Sequence, residues 1–332
     1  MGNNFYRRDN PGGVGSYFYP NILLMSLPLR HNVALAPLTT FGVGGRARWF
    51  VSVSASKQLV ETVRIARAKN LPYRVFAGGS NVVFSDKTFP GLVIQFKPKA
   101  TPCRWQGVAL TCGANLPLAS LIKTAISHGL AGLENLSGIP GTVGGAIVGN
   151  AGAYGQTISD CLTRVEIFTG RQIKWLDKKQ AQFAYRESIF KKLAWLILRV
   201  EFKLEKGVKK VLVKKSREII KIRSEKYNPS LRSPGSFFKN VLVKDVSRAT
   251  LAKLDQTKVR DGKIPAGYLL EAVGAKGMRQ GGIRVADFHG NLLINDRRGT
   301  YRDIVTLAAK LKKLVKKKFG IILDEEVRYL GV

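Results

Sequence analysis

The chain has 332 residues, 45% hydrophobic and 23% charged, which is enough apolar material for several domains and excludes intrinsic disorder, collagen and coiled coil as its organising principle. Fifty-five Lys and Arg against 22 Asp and Glu give a formal net charge of +33, a field that favours polyanionic ligands (nucleotides, nucleic acid or anionic lipid) and says nothing about fold. Three cysteines without a CxxC, and three histidines far apart (His31, His128, His289), argue against a disulfide framework, a zinc knuckle or a His-rich metal site, and make a reducing cytoplasm the simplest compartment.

Residues 1–26 read as a polar extension containing Gly, Asn and Tyr, expected to be mobile. Its apolar run, Ile22–Met25, is too short for a signal peptide, and no stretch of the chain reaches the length of a membrane span. From Ala34 to Gly91, short strands alternate with one helix, capped by Ser54 or Ser56 and carrying Leu59, Val60, Val63 and Ala66 on one face. A strand over Arg74–Ala77 runs into Gly78-Gly-Ser-Asn81, and a second strand follows over Leu92–Phe96. Two strands then surround Gly107 and Cys112, and a helix begins near Pro117 and stops before Gly129. Thr163–Phe168 and Gln172–Leu176 form a hairpin around Thr169–Gly170, and Ala194–Leu204 is a long apolar strand. Lys206–Lys226 is a basic, partly helical connector and the best domain boundary. The last block has a hairpin around His289-Gly-Asn291. It continues into a helix with a Thr300/Asp303 capping box and an Ile304, Leu307, Leu311, Leu314, Val315 stripe, and closes with a strand over Ile321–Leu330.

Glycine clusters carry the functional signal. In Gly78-Gly-Ser-Asn81, directly after a strand, backbone N–H groups can turn outward into a nest for phosphate oxygens. The second cluster, Gly138-Ile-Pro-Gly-Thr-Val-Gly-Gly-Ala146 followed by Gly149-Asn-Ala-Gly-Ala-Tyr-Gly155, is dense enough to cost folding entropy, which a closely approaching ligand would explain. Neither matches GxGxxG after a strand nor GxxxxGK[ST], so dinucleotide and Walker readings are poor.

With Thr39-Thr-Phe-Gly-Val-Gly-Gly45, Tyr185-Arg-Glu-Ser188, Gly235-Ser-Phe-Phe-Lys-Asn240 and Glu326-Val-Arg328 in the same order, the chain resembles the UDP-N-acetylenolpyruvoylglucosamine reductase family from about Leu27 to Gly331. The resemblance implies an α+β fold: a two-subdomain FAD-binding domain of the PCMH type (27–100 and 101–205), then a smaller α+β substrate-binding domain (206–332). It implies NADPH-dependent reduction of an enolpyruvyl ether through FAD, in peptidoglycan precursor synthesis. It assigns FAD contacts to Thr39, Thr40, Gly78, Gly79, Ser80, Asn81, Gly138, Ile139, Pro140, Gly141, Thr142, Gly144, Gly145, Ala146, Gly149, Asn150 and Gly152. Ser236 would be the proton donor, Arg186 a planar cation for a carboxylate, and Glu326 the catalytic carboxyl group, expected to be neutral through burial while it acts. Within Asp324, Glu325 and Glu326, the Glu-Val-Arg pattern selects Glu326. Tyr154, Lys239 and Asn240 are the substrate-side candidates.

The chain departs from the family pattern at Thr39, where Asn is frequent, and at Val241, where Pro is frequent. Its short stretch between Leu204 and Ser236 leaves no room for the tyrosine-bearing substrate loop of the longer subclass, so the shorter subclass fits. No histidine lies near Gly78–Asn81 or Gly138–Ala146, so FAD is expected to be held noncovalently. Lys310, Lys312, Lys313, Lys316, Lys317 and Lys318 give one helix a basic face, but without interleaved aromatic residues this reads as a solvated surface and not a nucleic-acid platform. The chain is expected to act as a monomer on small molecules, without membrane insertion.

Overall fold

The computed structural model describes residues 28–228 and 230–331, apart from the side chain of Lys226; the expected N-terminal extension lies outside the described residues. The first sheet has the order β1 (Arg30–Ala34), β2 (Arg46–Val53), β5 (Phe89–Phe96), β3 (Tyr73–Phe76), with β1 antiparallel to β2 and the rest parallel. Helix α1 (Ser56–Ala68) crosses over between β2 and β3, burying Leu59, Val60, Val63 and Ala66 as the periodicity predicts. Its cap is Ala55 and neither candidate serine; the Gln58 side chain accepts from the Ala55 N–H at 3.3 Å, the one half of a capping box that alanine allows. The short strand β4 (Val82–Phe84) leaves the turn after β3.

The second sheet is antiparallel throughout: β9 (Ile173–Asp177), β8 (Leu162–Phe168), β10 (Leu196–Lys203), β7 (Ala109–Gly113) and β6 (Arg104–Gln106). Helix α2 (Leu118–Ser127) follows Pro117, and the six-residue helix α3 (Val143–Val148) follows Thr142. One continuous core runs from Val51 and Leu59 through Leu110 and Leu121 to Phe202, so the two sheets and the helices between them are packed as one body. The basic helix α4 (Lys209–Lys226) docks on this body through Leu212 and Ile219.

The C-terminal part packs α5 (Ala266–Ala272) and α6 (Tyr301–Phe319) against a three-stranded antiparallel sheet, β11 (Arg279–Gln280), β12 (Ile283–Ala286) and β13 (His289–Asn295). Its separate core takes in Phe41, Val43 and Val83 from the N-terminal half. The Thr300/Asp303 capping box forms as read. The predicted hairpin around Gly290 does not: Ala286 pairs with His289, so the turn lies earlier and Gly290 is inside β13. Glycine is needed there for space, since a Cβ would lie 2.6 Å from the Glu271 side chain.

The terminal segment is also not the continuous strand predicted. Asp324 accepts from the Lys239 N–H at 2.8 Å, and the Glu326 N–H donates to the Phe237 carbonyl at 2.7 Å. Only β14 (Arg328–Leu330) is regular, and it runs parallel to β4 back in the first half. Alternating apolar residues cannot reveal that the segment changes partner midway.

Candidate functional site

A cavity of about 650 Å³ lies where the glycine turns face the C-terminal part, within the range of about 300–1,000 Å³ typical of ligand pockets. One wall is backbone: Gly78, Gly79, Ser80 and Asn81 from the β3–β4 turn, then Ile139–Thr142, Gly144, Gly145, Ala146, Gly149 and Gly152. Gly79 has φ +68°, and a Cβ on it would lie 2.2 Å from the Leu38 carbonyl oxygen. Gly141 has φ +110°, and its Cβ would lie 2.7 Å from Ser80 Oγ, so the two turns close on each other where only glycine fits. Among the described residues, the N–H groups of Gly78 to Asn81 donate to no protein acceptor, and the buried Asn81 Oδ1 has no partner. These are groups waiting for a polar ligand.

Thr39, Thr40, Gly138 and Asn150 stand behind this wall. The Thr40 N–H and hydroxyl hold the Gly79 and Ser80 carbonyls at 3.1 and 3.3 Å. Asn150 Nδ2 ties the Ala184 carbonyl at 2.9 Å, and Gly138 (φ +76°) leaves room for the Arg223 side chain.

The facing wall is made of side chains. Arg186 sits at the tip of a turn closed by reciprocal Ala184/Glu187 backbone bonds, in a left-handed conformation (φ +55°) that costs a non-glycine residue about 1–3 kcal/mol. Lys191 Nζ donates to its carbonyl, and Lys191 and Lys239 both pair with Glu187, at 3.5 and 2.6 Å, clamping the turn. Burial works against the Glu187 carboxylate, but the two ammonium groups win and its pKa lies below the ordinary value. Burial lowers the pKa of Lys191 against the pull of Glu187.

Ser236 is fixed by its neighbours. Phe237 and Phe238 are fully buried, and Asn291 on β13 receives the Phe238 N–H on Oδ1 and donates Nδ2 to the Phe238 carbonyl, both at 2.8 Å. The same segment pairs with Glu326, so Ser236 and Glu326 reach the cavity together. Ser236 Oγ is 2.8 Å from the Tyr227 hydroxyl.

Glu326 is partly buried and already paired. Its side chain is 22% exposed and Oε1 is 3.1 Å from Arg186 Nε, an ion pair without hydrogen-bond alignment, because that N–H has no partner in line. Glu325 is taken up elsewhere, by Lys312 and the Tyr329 hydroxyl, and does not line the cavity.

Three substrate-side candidates are not brought to the cavity. Tyr154 is 49% exposed and does not line the cavity; Lys239 is held by Glu187; Asn240 Oδ1 accepts the Ala266 N–H at 3.1 Å, at the start of α5. The sequence reading missed Arg223, Tyr227, Lys191 and Arg328, which line the cavity. Burial lowers the pKa of Arg223 and Arg328, and the buried Arg223 Nε has no partner. A signal existed for two of them: Arg223 and Tyr227 are one helical turn apart at the end of a helix that leads into the Ser236 motif.

Residues 47–172 match the FAD binding domain model, and residues 227–330 match the C-terminal domain of UDP-N-acetylenolpyruvoylglucosamine reductase. The reductase of that name from Solibacter usitatus is 41% identical over 307 residues, covering 92% of this chain and 98% of the relative. The chain belongs to the UDP-N-acetylenolpyruvoylglucosamine reductase family. A Synechococcus reductase of the same name is 33% identical, covering 94% of each chain. The crystal structure of the Thermus caldophilus family member superposes with a TM-score of 0.71 at 29% identity, over 91% of this chain and 99% of that one. The chain is therefore an oxidoreductase with an FAD-binding domain and the family's C-terminal domain. Among the described residues, no helix is long and apolar enough to cross a membrane.

Proposed function

We propose that this protein reduces UDP-N-acetylglucosamine enolpyruvate to UDP-N-acetylmuramate, with electrons from NADPH passing through noncovalent FAD, as a cytoplasmic step of peptidoglycan precursor synthesis. The observation that carries this is that Arg186, Ser236 and Glu326 converge from three distant segments on one cavity, opposite a glycine wall with unused donors. That wall fits a flat cofactor with phosphates: Gly78–Asn81 would offer N–H groups to the pyrophosphate, and Gly141, Gly144 and Gly145 would let it approach the backbone closely. FAD bound there supplies the two-electron reduction of the substrate's vinyl bond.

The side-chain wall then handles charge and protons. Arg186 can take the substrate carboxylate on its unpartnered N–H face and hold the enolate character that develops there. Two carboxyl groups then compete for one guanidinium. This leaves Glu326 beside the substrate carboxylate as the catalytic carboxyl group. Ser236 Oγ–H delivers a proton to the adjacent carbon. Arg223 and Arg328, half-buried cations that line the cavity, suit the UDP diphosphate.

The test is anaerobic: the FAD-loaded protein is reduced with NADPH, and UDP-N-acetylglucosamine enolpyruvate is added. Reoxidation of the flavin with formation of UDP-N-acetylmuramate is expected. A polypeptide that takes up no FAD, or a reduced flavin indifferent to this substrate, would overturn the proposal.

A further inference from the structure

Ser236 is a poor acid: an aliphatic alkoxide left behind after proton donation would be very high in energy. Three features bear on how that proton is replaced. The Tyr227 hydroxyl lies 2.8 Å from Ser236 Oγ. The Arg223 guanidinium lies over the Tyr227 ring, 5.2 Å from its centroid; the residue is half-buried and its buried Nε is unpartnered. All three residues line the cavity. A phenol, with an ordinary pKa near 10, is far more acidic than an aliphatic alcohol, and a desolvated cation beside it stabilises the phenolate.

We propose that Tyr227 is a proton-relay residue that acts through Ser236, with Arg223 supporting the phenolate. This rests on the reading of the reaction given above. As the Ser236 O–H bond breaks and a C–H bond forms at the substrate's carbanionic carbon, the Tyr227 proton moves to Ser236 Oγ. Serine is restored as a neutral alcohol, the negative charge comes to rest on the phenolate beside Arg223, and water reprotonates it after product leaves. No electrons move through either residue. His289, whose ring centroid lies 6.0 Å from that of Tyr227, and Tyr154 and Arg186, which both bear electrostatically on Arg223, are further charged or titratable groups around this pair.

Tyr227→Phe keeps the ring and deletes only the hydroxyl. The two half-reactions of the FAD-loaded variant are followed separately by stopped flow, in H₂O and D₂O, alongside its FAD affinity. The expected result is unchanged FAD affinity and flavin reduction by NADPH, with reoxidation by substrate slowed on the order of a hundred-fold and its solvent isotope effect altered. Reoxidation within two-fold of the unaltered protein, or an equal loss in both half-reactions together with weakened FAD binding, would overturn the relay. If the unaltered protein itself fails to be reoxidised by this substrate, the functional reading has failed and not the relay.

Discussion

The two walls of the cavity are built from opposite materials. The N-terminal wall presents backbone: Gly79, Gly141 and Gly152 are required because neighbouring atoms lie 2.2 to 2.8 Å from where a Cβ would be. The facing wall presents Arg186, Arg223, Tyr227, Ser236, Glu326 and Arg328 on segments locked by packing far from the ligand. Substitutions in the first wall should therefore act through shape and stability, and substitutions in the second through chemistry with the fold intact.

The largest expected separation comes from Ser236→Ala. Substrate-driven flavin reoxidation should fall roughly a hundred- to ten-thousand-fold while FAD content and thermal stability stay near the parent values. Stopped-flow traces and flavin absorbance check both halves of that statement. Gly79→Ala should do the reverse. Its left-handed φ and the Leu38 carbonyl contact should cost about 3 kcal/mol and FAD retention, seen in denaturant unfolding and in the flavin-to-protein ratio. A Gly79→Ala protein that keeps its flavin would end the distinction between the walls.

Asn295→Ala probes the seam between them. Asn295 Nδ2 donates to the Phe41 and Gly42 carbonyls at 3.0 Å, and Asn295 is buried, so its removal strands two acceptors at about 1–3 kcal/mol. Urea titration of the variant measures that loss.

The smallest expected effect lies outside both walls, at Asp296. Arg279 and Arg284 hold its carboxyl at about 2, below the ordinary value. A depressed carboxylate stabilises the fold above its unfolded-state pKa and loses that contribution as pH falls through the folded one. Asp296→Asn should therefore be less stable than the parent at pH 7, with the difference closing below about pH 4 and lost only once the pH falls below about 2. Equal stability at pH 7 would show that solvent screens this pair completely.

Legibility in the sequence followed the range of the interactions. The α1 and α6 stripes, the Thr169–Gly170 hairpin and the Thr300 cap depend on residues within a turn or two of each other, and all were readable. The glycine clusters were visible because glycine is costly wherever it is not needed. The exchange of pairing partners by 324–330 was not, since strand periodicity carries no information about the neighbouring strand. Tyr154, Lys239 and Asn240 show the same limit from the other side. They sit within or beside the motifs, yet the fold spends Lys239 on clamping the Arg186 turn and Asn240 on the start of α5.

Composition and periodicity thus determined many of the helices, strands and close backbone turns of this chain, because those features arise from local sterics and the burial of apolar faces, while the flavoprotein scaffold was legible only through the resemblance carried by seven short motifs. Which side chains meet was decided only in three dimensions. The Arg186–Glu326 pair spans 3.1 Å and the Tyr227–Ser236 contact 2.8 Å, and both arise from segments held by partners elsewhere in the chain. Charge and proton transfer act over a few ångströms of space, and sequence distance does not measure that.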